Sequence, residues 1–224
     1  MKRSMPLARI GAAAVMTAMI GALVVARPVA AQGPERIELP AAQTDGGKPL
    51  MQALGMRRSI RAFSAEPLPQ QVLSNLLWAA FGVNRPDTGG RTAPSARNWQ
   101  EIDVYVASQD GLFVYDPKPH ALRRVAAQDV RASIGGQEHS RSAPVTLIYV
   151  ADDARMRTAG EETRAFYSAA DTGFIAQNVY LFCASEGLGT VVFASIDRER
   201  LAKAMGLGAG QRVTLAQSVG FPRR

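Results

Sequence analysis

Ile102-Asp103-Val104-Tyr105-Val106-Ala107-Ser108-Gln109-Asp110-Gly111-Leu112-Phe113-Val114-Tyr115 is the stretch that decides the fold class. Residues 102–107 alternate as a half-buried strand, residues 112–115 form a second arm, and Gln109-Asp110-Gly111 between them is turn chemistry. Two strands joined by so short a turn are antiparallel neighbours. Outward from this hairpin, Ala143 to Ala151 holds the unbroken apolar run Val145-Thr146-Leu147-Ile148-Tyr149-Val150, which suits a central strand. Thr190 to Ser195 and Arg212 to Val219 read as further strands. Helical spacing marks Leu50–Met56, Gln70–Phe81, Arg164–Glu186 and Arg198–Met205. Pro67 and Pro69 open the second of these, and Leu73, Leu76, Leu77 and Ala80 share one of its faces. The third is apolar almost all round and stops at Gly187, so it is buried in the core or in a subunit interface. Helices and strands mixed around a hairpin make an α+β fold. Residues 82–101, with Gly82, Pro86, Gly89, Gly90 and Pro94, form a long loop of the kind that serves function.

The chain has 224 residues, 20% charged and 47% hydrophobic, enough for one domain with a substantial core. Lys2, Arg3 and Arg9 precede an apolar run from Ile10 to Ala26, and Val29-Ala30-Ala31 follows. That is the pattern of a cleavable export signal, with Lys2-Arg3 a weak variant of a twin-arginine pair. A single anchor helix is the competing reading, but the run is short of the about 20 residues that span a bilayer. Residues 1–31 are therefore read as a leader, 32–49 as an extended arm and 50–224 as the folded domain, in an exported and periplasmic protein. The formal charge of +7 rests on 26 basic and 19 acidic residues. The leader holds four of the basic ones (Lys2, Arg3, Arg9, Arg27) and no acid, so 22 against 19 leaves +3. This argues against a nucleic-acid partner. A single cysteine excludes a disulfide framework and a cysteine-based metal site, and two histidines nineteen residues apart argue against a histidine one. Cys183, in an apolar run, reads as a buried structural thiol. No Walker loop, GxGxxG or serine-triad context occurs, and no catalytic side chain stands out.

Four short segments remain as binding candidates. Arg57, Arg58 and Arg61, with Ser59 among them, repel one another unless an anion neutralises them, and guanidinium forks suit phosphate. A solvated surface patch is the bland alternative. Pro94-Ser95-Ala96-Arg97-Asn98-Trp99-Gln100 offers amides able to read a planar heterocycle, or else simple turn chemistry. Gly187-Leu188-Gly189, leading to Ala194 and Ser195, lets backbone N–H groups approach a ligand, or merely connects helix to strand. Gly220-Phe221-Pro222-Arg223-Arg224 is either more phosphate-binding charge or a frayed tail.

In order and spacing these pieces resemble the FMN-dependent nitroreductase family, nearest to its SagB-type branch and the related azoline dehydrogenases. The resemblance rests on Arg57-Arg58-Ser59-Ile60-Arg61-Ala62-Phe63, Leu76-Leu77-Trp78-Ala79-Ala80-Phe81-Gly82, Arg91-Thr92-Ala93-Pro94-Ser95, Gly173-Phe174-Ile175-Ala176-Gln177-Asn178 and Gly187-Leu188-Gly189-Thr190. It runs from about Glu38 onward. Two stretches depart from that branch. Arg97-Asn98-Trp99-Gln100 is closer to other nitroreductases, and Ala159-Gly160-Glu161 stands where azoline dehydrogenases carry a Lys-Tyr pair.

The resemblance implies a nitroreductase-like α+β fold, a central mixed but mainly antiparallel sheet flanked by helices, and a homodimer with FMN at the subunit interface. It implies that Arg57, Arg58, Ser59, Arg61 and Arg223 (or Arg224) hold the phosphate, ribityl chain and pyrimidine edge. Pro94 and Ser95 would line the site, Asn98 would come from the partner subunit, and backbone at Ala194 and Ser195 would face flavin N5. The activity implied is ping-pong hydride exchange at N5 with a small organic substrate, and NAD(P)H is a candidate donor. Export leaves room for a redox partner instead. A non-catalytic flavin-binding protein and an azoline-type dehydrogenase or oxidase stay open as alternatives.

Overall fold

A computed structural model of the chain describes Met1 and residues 35–223. Residues 2–34 and Arg224 lie outside the described residues, and with them the expected leader, the first residues of the arm and the last candidate arginine.

The elements in chain order are β1 (Arg36–Glu38), α1 (Leu50–Met56), α2 (Gln70–Phe81), β2 (Val83–Arg85), β3 (Gly90–Arg91), β4 (Ile102–Ser108), β5 (Gly111–Asp116), β6 (Ala121–Ala126), α3 (Glu138–Ser142), β7 (Val145–Asp152), α4 (Glu161–Glu186), β8 (Gly189–Phe193), α5 (Arg198–Met205) and β9 (Gln211–Gly220). Seven strands form one sheet in the order β1-β6-β5-β4-β7-β9-β8. Every pairing in it is antiparallel, so the expected mainly antiparallel character holds throughout. The deciding hairpin closes with Ser108 opposite Gly111.

Strand alternation divides the core between the two faces of the sheet. Val104, Val106, Leu147 and Tyr149 point to one side, where Leu76, Leu77 and Ala80 of α2 and Ile175, Val179 and Cys183 of α4 cover them. Tyr105, Ala107, Ile148 and Val150 point to the other, against Leu201 and Met205 of α5 and against Val130 and Ile134. This two-sided burial is why the β7 sequence is continuously apolar rather than alternating. Cys183 is buried and free, as expected, and its burial pushes the thiol pKa up, away from reactivity.

Several elements differ from the sequence reading. The arm is not merely extended, because Arg36–Glu38 pairs with β6 as an edge strand. β6 has no counterpart in the sequence reading, since Arg123 and Arg124 interrupt its apolar pattern. The 82–101 loop contains the short β2–β3 ribbon and a single helical turn at Ala96–Asn98. α4 also starts earlier than expected, with Glu161 and Glu162 in its first turn, where carboxylates complement the helix dipole.

Candidate flavin site

The segment from Arg57 to Phe63 is a strap laid along β8 and the end of the described chain. Ile60 N–H donates to Thr190 O at 2.9 Å, and Arg223 N–H donates to Ala62 O at 3.0 Å. Ser64 N–H reaches Phe221 O at 2.9 Å, and Phe63 bridges to Pro222. Gly189 makes this close approach possible, since a Cβ there would sit 2.9 Å from Ile60 Cγ2. The strap therefore brings Arg61 and Arg223 side by side, although they are far apart in sequence.

Tyr180, on α4, fixes the other end of the strap. Its hydroxyl accepts from Val192 N–H at 3.0 Å and shares a second hydrogen bond with Ser59 Oγ at 2.8 Å. The Arg57 guanidinium lies over the Tyr180 ring, 5.2 Å from its centroid. Arg58 lines a cleft of about 190 Å³ beside Ile60, Tyr180 and Thr190. Among the described residues, no carboxylate pairs with Arg57, Arg58, Arg61 or Arg223. Four arginines carried by the strap and the adjoining chain end, none paired with a carboxylate, fit an anionic group such as the FMN phosphate. Ser59 differs from its implied role in one respect, because its hydroxyl is engaged with Tyr180.

Ala194 and Ser195 follow β8 and are exposed. Arg198 Nη1 donates to Ala194 O at 3.3 Å, and Asp197 N–H donates to Ile134 O at 2.9 Å, which docks the 131–136 segment beside this turn. Gly135 permits that docking, for a Cβ there would meet Ser195 O at 2.8 Å. Next to it, His139 packs edge-on against Phe193 with ring centroids 4.7 Å apart. Burial, helped by the Arg61 charge, pushes the His139 pKa down, so its ring is held neutral.

Pro94, Ser95 and Asn98 form a separate group. The turn that carries them has three non-glycine residues in the left-handed region, Arg97 (φ 51°), Asn98 (φ 56°) and Gln100 (φ 50°). Asn98 is exposed, and its Oδ1 accepts from Gln100 Nε2 at 2.8 Å. Ala96 N–H donates to Asp171 Oδ2 on α4 at 2.9 Å. Asp171 and Tyr180 are nine residues apart on that helix, or about 13.5 Å along its axis. Within one chain, then, the turn docks on α4 well away from the strap, and the structure does not bring Asn98 to the arginines. Sequence reasoning missed Tyr180, His139, Glu101 and Asp171. The charge cluster announces itself locally, whereas Tyr180, His139 and Asp171 act through partners distant in sequence, and Glu101, bonded to Ser95, is hidden by its burial.

The described residues hold no group of three or more His, Cys, Asp or Glu side chains able to bind a metal. Nor does any helix among them have the length and apolarity to cross a membrane.

Comparison with known proteins agrees with this geometry. The family model described as the nitroreductase family matches residues 54–221. A Methanocaldococcus jannaschii protein provisionally named a nitroreductase is 34% identical over 154 residues, covering 64% of this chain and 77% of the relative. A Ralstonia eutropha crystal structure under a similar provisional name superposes with a TM-score of 0.83 at 43% identity, covering 88% of this chain and 94% of that one. The NADPH:FMN oxidoreductase of Vibrio harveyi, solved with NAD+, shares the fold at a TM-score of 0.60 and 20% identity, covering 78% of this chain and 69% of its own. The chain belongs to the nitroreductase family, whose members are typically flavin-dependent oxidoreductases.

Proposed function

We propose that the protein is an FMN-dependent oxidoreductase that exchanges hydride between a donor and a small organic substrate in two half-reactions. The observation that carries this reading is the strap, which presents Arg57, Arg58, Arg61 and Arg223 without a carboxylate among the described residues. Bound FMN would supply N5 as the hydride acceptor and donor. The chain's own residues bind and orient. The arginines hold the phosphate through charge-assisted hydrogen bonds, and Ser59 ties the strap to Tyr180 so that their positions are fixed. Backbone at Ala194 and Ser195 borders the reacting edge, with Pro94, Ser95 and Asn98 contributed by the second subunit of a homodimer. The separation of the turn from the strap along α4 supports that division. No side chain is assigned as an acid or base.

Nicotinamide is the donor class favoured by the relatives. One is the Vibrio harveyi enzyme, and another is a Thermus thermophilus protein named NADH dehydrogenase, 26% identical over 194 residues. We also read residues 1–31 as an export leader, in which case a redox protein replaces the nicotinamide outside the cytoplasm. Within the family, Arg91-Thr92-Ala93-Pro94-Ser95 favours a place near the SagB-type branch.

The test is the visible spectrum of the purified protein. Flavin bands near one FMN per chain are expected, bleached by a donor and restored by an acceptor. Flavin that binds but does not turn over would mark a binding protein instead. Changing both Arg57 and Arg61 to Ala should weaken FMN binding by about 100-fold or more while the protein stays folded. Unchanged flavin content in that variant would sink the assignment.

A further inference from the structure

Two carboxyl groups have no part in the site as read so far. Glu101, which leads into β4, is fully buried, and Asp171 in the middle of α4 is only 2% exposed. Both hold the Asn98 turn, at the consecutive residues Ser95 and Ala96. Ser95 Oγ donates to Glu101 Oε2 at 3.3 Å and itself accepts Gln100 N–H at 2.8 Å. Asp171 Oδ2 takes the Ala96 N–H. The turn needs holding, because the three left-handed residues at 97, 98 and 100 store strain.

Glu101 Oε1 is buried and meets no N–H or O–H donor among the described residues. A carboxylate oxygen left so is costly, whereas a carboxylic acid brings its own donor. Asp171 is the acceptor within reach. Burial, with the neighbouring Asp171 charge, pushes the Glu101 pKa up. The other charged groups nearby face different partners: Arg91 donates from Nε to Gln100 Oε1 at 3.0 Å, its buried Nη1 remaining unpartnered among the described residues. Arg155 donates to Gln100 O and pairs with Asp103, Asp152 gives its backbone N–H to Glu101 O, and Arg164 and Arg212 face Asp153. Among the described residues no cation pairs with either carboxyl.

We propose that Glu101 and Asp171 form a single-proton clamp, one carboxylic acid donating to one carboxylate, which positions Ser95–Asn98 and hence the Asn98 amide. Both are positioning residues, and their effect on the flavin rests on the reading of Asn98 given above. The sign of the pH dependence follows from linkage. The folded protein holds this proton more tightly than the unfolded chain, so the clamp is intact below the ordinary glutamate value and is lost as pH rises through the elevated one.

Infrared difference spectroscopy of wild type against Glu101→Gln tests the proton itself, with or without flavin. A protonated-carboxyl carbonyl band that persists above the ordinary glutamate value of about 4.3, present in the wild type and lost in the variant, is expected; its absence overturns the clamp. Should that variant not fold, Asp171→Asn replaces it, since its amide donates to Glu101 and lets it ionise, removing the same band. Glu101→Gln also mimics the protonated acid, so its FMN Kd should stay within about 3-fold of wild type and remain flat with pH. Wild-type Kd should rise with pH, and Glu101→Ala should bind FMN about 10-fold more weakly. A Glu101→Gln Kd that follows the wild-type pH curve overturns the proposal. Failure of the wild type to bind any FMN would overturn the flavin reading and leave the infrared result standing by itself.

Discussion

At the scale of the residue, Tyr180 ties together three parts of the site. Its hydroxyl joins Ser59 to Val192, and its ring carries the Arg57 guanidinium. Replacing Tyr180 with Phe keeps the ring but leaves Val192 N–H without its acceptor and Ser59 Oγ without its hydroxyl partner. The expected loss is about 1–2 kcal/mol, read as a fall in Tm of about 3–8 °C, together with easier release of flavin. Arg57, Arg58 and Arg61 were legible in the sequence because like charges crowd within a few residues. Tyr180 was not, for nothing in Val179-Tyr180-Leu181 distinguishes a hydroxyl that serves Ser59, 121 residues away, from one that only fills the core.

At the scale of the element, the arm depends on one histidine. Ser74 Oγ–H donates to Pro40 O at 2.6 Å, so the Ser74 oxygen must accept from His120 Nε2–H at 2.7 Å. Nδ1 is then left to accept from the Tyr115 hydroxyl at 2.8 Å. This chain of donors requires a neutral ring, and burial pushes the His120 pKa down accordingly. The unfolded chain takes up this proton more readily than the folded one. The tie is therefore complete above the ordinary histidine value of about 6.5 and weakens as pH falls below it. Protection of the amides across residues 36–41, taken as exchange corrected for its intrinsic pH dependence, should fall between about pH 6.5 and pH 5, and in His120→Phe that fall should vanish. The periodic elements were readable because helix and strand patterns act locally. β1 and β6 were not, because Arg36, Arg123 and Arg124 mask a pairing that only the neighbouring strands impose.

For the whole molecule, the exposed apolar surface matters most. Phe166 and Phe174 on α4 are 67% and 47% exposed, and Leu50 and Met51 on α1 are 62% and 77% exposed. The sequence left α4 open between core and subunit interface, and the structure resolves it by face. Ile175, Val179 and Cys183 enter the core, while Phe166 and Phe174 stay outside. Changing both phenylalanines to Asp should yield a monomer by sedimentation, with little loss of monomer stability because both side chains are solvent-facing. Flavin retention should fall with it if the site is shared between subunits. The α+β class and the hairpin were legible in full; the outer face of α4 was visible only as an ambiguity, since hydrophobicity does not say which chain buries it.

The order of strands carries a consequence for biosynthesis. β9 lies between β7 and β8, so neither neighbour has its final partner until residues 211–220 have been made. Before then a nascent chain leaves β8 unpaired, and with it the Thr190 carbonyl and the Phe221–Arg223 backbone on which the arginine strap is laid. The cofactor pocket is thus among the last features to form during translation. A nascent chain stalled before residue 211 should remain loosely folded and free of flavin until synthesis passes β9.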